Sequence, residues 1–593
     1  MAKSSEVTSA ASGGSSAAPC GSTRSVGAGV AAAAALAAGL SLFATRGGPR
    51  VTQDSANYLA MAAAITDGRW SGVSGAPITV FPPGFPAVIA VGDALLGASL
   101  WHRLLPALCA AITVFCVASV VLRHVVDRRW AVVAAFSTAV SPALGLVWMT
   151  TWSEGPFVAA VSVFLVAIDR LWSAGAAAGA PGDPSSDMLC STDPGELAGV
   201  SNVLGGTTGR WLQPSGSWRW FNAAVLACWV ACSMRYAGIV LVGVLGLGVS
   251  LMGRRPVIER LFHGAVTVVV AAAPLVVIVV HNLTVDGTTM GGRAGTGASP
   301  SAALGIAAHT IAGWLIPARA VPASLVWIAA ALGTGLLAVR AGSAGSAGSA
   351  GSAGSAGRSE CLDRGLLPVR ERLASVAPVI WTGAGGLAFV VISAVVTSID
   401  GPDDRLLSPQ VVPLVIAVAV AVDAATVTTT TAVRRRFLVA AFGWLGCLLT
   451  FGVATAVDPP LSLNVDRWEG SQLVAAVRSL PPDAVVASNR PEVLWLATDL
   501  RTVAPMPSRE RRGWEPADPR SAALGELVEC TGGSVLGAWF DDAATGTWIS
   551  PRELPAWLKV ELIARFDDGE LVRISSRDEA PTQHRTTSNC ASG

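Results

Sequence analysis

Two acidic and two basic residues lie at the edges of long apolar segments and could together transfer a chemical group. Asp54 directly follows the first apolar segment, Glu154 lies in a short polar stretch between two later ones, and Arg235 and Arg405 border others. A carboxylate can take a proton from an attacking hydroxyl, and arginine can hold a departing anion such as a phosphate. Tyr58 lies one helical turn after Asp54 and could share its site.

Each of these residues also has a simpler structural interpretation. Asp54 could cap a helix that begins at Ser55. Arg235 could extend its side chain to the membrane surface, and Arg405 could pair with one of the two aspartates that precede it. The local sequence leaves both interpretations open, so the arrangement of the segments has to be considered.

The composition is typical of a membrane protein. Of the 593 residues, 52% are hydrophobic and 14% are charged, whereas soluble domains carry roughly 25% charged residues. The apolar residues form uninterrupted runs long enough to span a bilayer. The formal net charge of +1, with basic residues confined to short clusters, gives no reason to expect a nucleic-acid partner.

The apolar runs predict an all-α polytopic membrane protein with about eleven transmembrane helices. Arginine clusters between the runs place the amino terminus inside the cell and the carboxyl terminus outside. Two shorter apolar helices are also predicted: 85–97 is interfacial or re-entrant, and 303–316 is interfacial. The predicted spans are 26–45, 104–122, 130–148, 155–172, two within 220–252, 262–281, 323–340, 377–397, 409–427 and 437–456.

Three regions follow from this pattern. A disordered cytoplasmic amino terminus (1–25) precedes the transmembrane module (26–456), and a small extracytoplasmic α/β domain (457–593) follows it. The transmembrane module contains a first outer loop (46–83), a cytoplasmic insertion (173–219) and a flexible cytoplasmic linker (341–376) with Ala-Gly-Ser repeats. In this topology Asp54, Glu154, Arg235 and Arg405 all lie on the outer face.

Six short motifs, in order along the chain, resemble the GT-C glycosyltransferases of the protein mannosyltransferase and aminoarabinose transferase type. They are Asp54-Ser-Ala-Asn-Tyr58, Phe81-Pro-Pro-Gly-Phe-Pro86, Ser153-Glu154, Arg235-Tyr236, His281-Asn282 with Gly287 and Arg293, and Arg405-Leu-Leu-Ser-Pro409. The resemblance covers roughly residues 26 to 456. It departs from the family pattern at Ser55, where a second acidic residue is usual, at His281 and at Ser408.

The resemblance implies a GT-C-like fold in the plasma membrane and an inverting transfer of a sugar from a polyprenyl-phosphate donor. The acceptor would be a glycan, lipid or protein of the envelope. Asp54 would be the general base with Glu154 as the second carboxylate, and Arg235 and Arg405 would bind the donor phosphate. The supporting residues would be Tyr58, His281, Asn282, Arg293 and Asp404.

These residues require no cofactor, although the binding of a divalent cation stays open. Asp54, Glu154 and Asp403 could share Mg²⁺ or Mn²⁺ if their loops meet, because carboxylates suit these ions. Most cysteines lie in or beside apolar segments, where a thiol behaves as a small hydrophobic group. Cys530 and Cys590 fall in the predicted outer domain, where a disulfide could form.

Two other classes of function compete with a glycosyltransferase. The number of spans is compatible with a transporter or lipid flippase, but the chain shows no clear pair of repeated, interrupted helices. The departures at Ser55 and Ser408 are compatible with an envelope protein that kept the fold and lost its activity. If Asp54, Glu154, Arg235 and Arg405 surround one cavity, the enzyme is favoured over both.

Overall fold

The computed structural model describes most of the predicted transmembrane module and most of the carboxyl-terminal region. The described residues are 23–75, 77–179, 217–252, 256–291, 299–315, 369–396, 403–427, 429–457, 468–498, 500, 502–506, 519–541 and 549–577. The predicted disordered segment 1–25, the insertion 173–219, the span 323–340 and the linker 341–376 lie wholly or largely outside these residues.

Helices dominate the described chain as far as residue 457. They are α1 (Thr23–Ala44), α2 (Gln53–Thr66), α3 (Gly84–Leu96), α4 (Ala98–His124), α5 (Arg129–Ala139), α6 (Pro142–Met149), α7 (Glu154–Gly179), α8 (Ser217–Met234), α9 (Ile239–Leu251), α10 (Val257–Ala271), α11 (Ala273–Val285), α12 (Pro300–Leu315), α13 (Val369–Ser375), α14 (Ala377–Val396), α15 (Asp404–Leu407), α16 (Val411–Thr426) and α17 (Thr431–Val457). A 3₁₀ turn, Ser408–Gln410, joins α15 to α16.

Five apolar helical stretches of the described residues are long enough to cross a membrane, and up to seven if each of two bent pairs counts as one. The five lie in α1, α4, α7, α14 and the continuous stretch from α15 to α16. The chain is therefore a multi-pass membrane protein. The predicted number of about eleven spans is not confirmed: for example, α9 has 13 residues and reaches only about 20 Å, short of a bilayer core.

Two predicted single spans are bent in the structure. The predicted span 130–148 consists of two helices, α5 and α6, with a bend of 50° between them. The predicted span 262–281 likewise consists of α10 and α11, with a bend of 54°. Pro142 and Pro274 lie in the first turns of α6 and α11. Proline lacks the N–H that would continue the preceding helix, and it disfavours helical geometry in the residue before it.

The core of the bundle lies between α1, α4, α5 and α7, and small side chains bring these helices close together. Ala33, Ala37, Ala110 and Ala131 are almost completely buried in one cluster. Such small residues are typical of helix interfaces in membranes, where close packing stabilises association. Gly246 on α9 allows a similarly close approach, because an added Cβ there would clash with the side chain of Val268 on α10.

We call the end of the bundle at which α7 begins the upper end, and the other the lower end. Buried ion pairs connect helices at the lower end. On α7, Asp169 contacts Nε of Arg123 of α4 at 2.7 Å. On α16, the fully buried Asp423 accepts a hydrogen bond from Arg372 of α13 at 2.8 Å and one from the backbone N–H of Val126 at the same distance.

The carboxyl-terminal α/β unit (residues 468–577) contains a five-stranded sheet in the order β2-β1-β3-β5-β4. Strands β2, β1 and β3 are parallel, and β5 and β4 add two antiparallel strands at one side. The elements are α18 (Gln472–Arg478), β1 (Val486–Ser488), α19 (Pro491–Ala497), β2 (Val503–Pro505), α20 (Pro519–Cys530), β3 (Ser534–Phe540), β4 (Leu558–Phe566) and β5 (Gly569–Ser576). Cys530 is disulfide-bonded; Cys590 lies outside the described residues, so their pairing stays a prediction.

The α/β unit packs directly on α2 at the upper end of the bundle. Ala56, Ala60 and Val73 belong to the same buried cluster as the interior of the unit, including Leu473 and Val493. The backbone N–H of Val503 at β2 donates to the carbonyl oxygen of Val73 at 2.9 Å. The helix that carries Asp54 therefore lies between the bundle and the α/β unit.

Candidate active site

Glu154 is the first residue of α7, and its side chain is fully buried. Just before it, Thr150 forms a parallel bridge with Arg50, which fixes the stretch leading into α2 beside the start of α7. Pro156 is tolerated in the first turn of α7 because the N–H groups there have no helical partner. The positive end of the helix dipole also favours a carboxylate at this position. The fold thus places a negative charge inside the upper end of the bundle.

Two arginines contact the carboxylate of Glu154. Nη1 of Arg235 and Nε of Arg405 both lie against Oε1 of Glu154. Arg235 has extended backbone angles at the break between α8 and the 3₁₀ turn Tyr236–Gly238. A buried carboxylate without partners would be costly, so these cations stabilise its charged form. Arg235 is therefore engaged by a carboxylate rather than extended to the membrane surface.

Arg405 also joins Glu154 to Asp54. Its Nη1 lies 2.5 Å from Oδ2 of Asp54, and its guanidinium lies 4.7 Å from the centre of the Trp152 ring. Arg405 thus contacts carboxylates that are distant in the chain, while the neighbouring Asp403 caps α15 by accepting from the N–H of Leu406. The four charged residues predicted from the sequence thus form one continuous network.

Asp54 lies in the first turn of α2, but it does not cap this helix. The N-cap is Thr52, whose side chain accepts a hydrogen bond from the N–H of Ser55. The interpretation of Asp54 as the cap of this helix is therefore wrong. Its side chain is 28% exposed, whereas that of Glu154 is 1% exposed. Of the two carboxylates, Asp54 is the one that a molecule arriving from solvent can reach.

A chain of hydroxyl groups connects Tyr58 to Glu154. The hydroxyl of Ser153 donates to Oε2 of Glu154 at 3.3 Å. Because that uses its proton, the Ser153 oxygen accepts from the Tyr58 hydroxyl, which lies 3.1 Å away. Burial raises the pKa of Tyr58 well above its usual range, and the charges of Glu154 and Asp54 raise it further. Tyr58 therefore stays a neutral hydrogen-bond donor.

An apolar cavity lies beside Glu154 between α7, α9 and α14. Among the residues that line it, Tyr58, Glu154 and Arg235 belong to the network, whereas Asp54 and Arg405 are absent from the lining. The cavity has a volume of about 1090 Å³, including space open to solvent. Its apolar walls include Phe157, Val161, Val240, Leu241, Phe389 and Val390. The network therefore has two sides: Glu154 and Arg235 face the cavity, and Asp54 lies beyond Arg405.

Asn282 holds the segment that follows Arg235. Its side-chain amide donates to the hydroxyl of Tyr236 at 2.8 Å, and that hydroxyl donates to the carbonyl of Thr79 at 2.7 Å. The Thr79 side chain in turn contacts Asp286, and hydrogen bonds from Thr79 and Thr288 lower the pKa of the Asp286 carboxyl. The predicted supporting role of Asn282 is therefore compatible with its position next to the Arg235 turn.

Two other predicted supporting residues, His281 and Asp404, do not join the network. His281 is exposed, with its ring 5.5 Å from that of Trp70. Asp404 accepts a hydrogen bond from the indole of Trp314 on α12 at 2.7 Å. Arg293 lies outside the described residues.

The predicted sharing of a cation by Asp54, Glu154 and Asp403 is not seen. Within the described ranges, no group of three or more His, Cys, Asp or Glu side chains is placed to hold a metal ion. Glu154 is engaged by two arginines, and Asp403 caps α15. The residues present therefore do not fit the cation site that the sequence left open.

The sequence did not identify Trp152, which contacts the network, or the hydrogen-bonded pair Gln53 and Glu492 beside Asp54. Trp152 lies against Arg405, and its indole N–H donates to Oγ1 of Thr52 at 2.8 Å. Gln53, next to Asp54, donates to the carboxylate of Glu492 in the α/β unit at 2.7 Å. The pair is 439 residues apart in the chain, so no local pattern could have revealed it.

No protein-family model and no curated protein matches the chain. Among solved structures, ArnT from Cupriavidus metallidurans in the apo state matches with a TM-score of 0.53 and 14% identity, over 93% of this chain and 98% of that one. The same protein bound to undecaprenyl phosphate matches with a TM-score of 0.50 and 13% identity, over 94% and 99% of the two chains. At such low identity the likeness shows the fold alone. The chain has a GT-C-like fold, as the sequence motifs predicted.

Proposed function

We propose that this protein is a membrane glycosyltransferase that moves a sugar from a polyprenyl-phosphate donor to an envelope acceptor on the extracytoplasmic face. The observation that carries the proposal is the two-sided charge network. Glu154 and Arg235 border an apolar cavity on one side, and the more exposed Asp54 lies on the other, joined by Arg405. ArnT, whose fold this chain resembles, has been crystallised with undecaprenyl phosphate, which supports a donor of this class.

The donor binds on the cavity side. The apolar walls accept the first units of the polyprenyl chain, since burying hydrocarbon there is favourable. Arg235 borders the cavity and is the first ligand of the phosphate, because guanidinium donates well-oriented hydrogen bonds to phosphate oxygens. Glu154 holds Arg235 in place and balances its charge while the site is empty. Arg405 lies further from the cavity and connects this donor side to Asp54.

The acceptor approaches from the side of Asp54. Oδ2 of Asp54 is held by Arg405, so Oδ1 is the oxygen that takes the acceptor's proton. The acceptor oxygen forms a bond to the anomeric carbon as the bond between that carbon and the phosphate oxygen breaks. The electron pair leaves with the polyprenyl phosphate, whose charge Arg235 stabilises. Because attack and departure occur on opposite sides of the sugar, a single displacement inverts the anomeric centre.

The direct test uses purified protein in liposomes with polyprenyl-phosphate sugars and envelope acceptors, with release of polyprenyl phosphate as the readout. Asp54→Asn keeps the size of the side chain and removes its basicity, so we expect the turnover rate to fall about 100- to 10,000-fold. The matched control is Asp67→Asn at the other end of α2, where Asp67 forms an exposed pair with Arg69. This control is expected to transfer sugar at the wild-type rate.

Other outcomes would favour a different function. Transfer by Asp54→Asn at the wild-type rate would remove Asp54 as the base. If the wild-type protein moves labelled polyprenyl phosphate across the bilayer without cleaving it, the protein is a lipid transporter that uses the same cavity. If it does neither with any donor tested, the inactive GT-C-like protein becomes the better description.

A further inference from the structure

A hydrogen bond connects the α/β unit to the residue beside Asp54. Nε2 of Gln53 donates to Oε1 of Glu492 at 2.7 Å, and Gln53 immediately precedes Asp54. Glu492 lies in the first turn of α19, where the helix dipole favours a carboxylate, and it is 8% exposed. A buried carboxyl is seldom retained without a partner, and Gln53 supplies one from the other part of the molecule.

The first turn of α2 is fixed from two sides. On the bundle side, Thr52 accepts from the indole of Trp152, and Trp152 packs against Arg405. On the other side, Gln53 is held by Glu492. Asp54 is the next residue, so the direction of its carboxylate depends on how firmly this turn is held. Removing either contact weakens the hold on this turn.

Glu492 is close enough to Asp54 to be affected by its charge. Burial raises the pKa of Glu492, and the negative charge of Asp54 raises it further, while Gln53 and Arg490 act in the opposite direction. The α/β unit thus brings a second carboxyl group into the neighbourhood of Asp54. Glu492 lies 439 residues after Gln53 in the chain. In the first outer loop itself, Ser55 stands where the family motif usually has a second acidic residue.

We propose that Glu492 is a positioning residue of the active site, which acts through Gln53 to hold the first turn of α2 and with it the carboxylate of Asp54. The α/β unit therefore contributes to the catalytic centre by orienting Asp54. This inference rests on the proposed transferase function.

The test measures turnover and acceptor KM in liposomes for full-length Gln53→Ala, Glu492→Ala and the double variant. We expect each single variant to lower kcat about 10- to 100-fold with acceptor KM and melting temperature little changed, because a misdirected base slows the reaction without weakening binding. The double variant should be no slower than the slower single variant, since both remove one contact. Glu492→Gln keeps the accepting oxygen and should restore most of the rate.

A matched control exists in the same unit, where Gln472 contacts the exposed Asp567 at 3.5 Å. Gln472→Ala should transfer sugar like the wild type. The inference is overturned if Glu492→Ala keeps the wild-type kcat, or if the effects of the two single variants multiply in the double variant. It is also overturned if Glu492→Gln is as slow as Glu492→Ala.

Hydrogen exchange separates this inference from the proposed function. In Gln53→Ala and Glu492→Gln the fixed turn can be followed through the amide of Ala56, which donates to the carbonyl of Thr52 at 3.0 Å. We expect faster exchange there in Gln53→Ala and wild-type exchange in Glu492→Gln. If wild-type protein transfers no sugar, the proposed function fails, and this exchange pattern alone decides whether Glu492 holds the turn. Unchanged exchange in Gln53→Ala would refute it.

Discussion

At the scale of single residues, Arg405 is the side chain on which the network depends most. It contacts Glu154 through Nε and Asp54 through Nη1, and it lies over the ring of Trp152. Only a planar guanidinium with several donors can make these contacts together. Lysine would bring the same charge but a single ammonium group, which cannot reach both carboxylates and stack on the indole.

Arg405→Lys is therefore expected to lower the turnover rate about 100-fold while the protein still folds. Steady-state release of polyprenyl phosphate in liposomes measures the rate. Arg69→Lys serves as the control, because Arg69 forms only an exposed pair with Asp67. A wild-type rate in Arg405→Lys would mean that charge alone suffices and that the geometry of Arg405 is unimportant.

Tyr58 predicts a specific dependence of stability on pH. Its pKa is raised on folding, so above the usual tyrosine pKa of about 10 the folded protein holds a proton that the unfolded chain loses. The stability from this neutral phenol is complete below about pH 10 and decreases as the pH rises further. We expect the melting temperature of the wild type to fall more steeply above about pH 10 than that of Tyr58→Phe. Parallel curves in scanning fluorimetry would contradict this.

At the scale of elements, buried ion pairs at the lower end connect helices that are distant in the chain. Asp423 on α16 joins Arg372 of α13 to the turn between α4 and α5 through the N–H groups of Val126 and Asp127. Arg372 is itself only 4% exposed. This junction holds the lower end while the upper end carries the charge network.

Asp423→Asn should lower the free energy of unfolding by about 3 kcal/mol or more, because it removes the negative charge that contacts the buried guanidinium of Arg372. Unfolding in mixed detergent micelles measures this change. Asp67→Asn removes an exposed pair and should cost less than about 1 kcal/mol. Equal stability of the two variants would show that Asp423 contributes little to the junction.

At the scale of the whole molecule, the orientation of the chain in the membrane is a prediction from its arginine clusters. We propose that the α/β unit lies outside the cell and the α4–α5 turn inside. In a background without other accessible cysteines, Glu561→Cys on β4 should react with an impermeant maleimide in intact cells. Arg128→Cys should react only after permeabilisation; both native side chains are exposed. The reverse labelling pattern would show that the chain has the opposite orientation in the membrane.

Much of the site was predictable because its residues lie at polar breaks between apolar runs. The periodicity and length of these runs fix where a break occurs, so Asp54, Glu154, Arg235 and Arg405 could be recognised without coordinates. The bends at Pro142 and Pro274 could also have been read from the sequence, since proline interrupts a helix locally. The number of spans could not be read from the sequence in this way, because a bent pair of helices can cross the membrane or turn back within it.

The sequence by itself determined that this is a multi-pass membrane protein and which charged residues border its helices, since these depend on composition and local pattern. Only the tertiary structure decided how these charges are paired. Arg405 binds two carboxylates far away in the chain, and Glu492 reaches the first turn of α2 from the α/β unit. Such pairings depend on how the helices and the unit pack, because burial makes an unpaired charge costly and leaves only the partners that packing brings within reach.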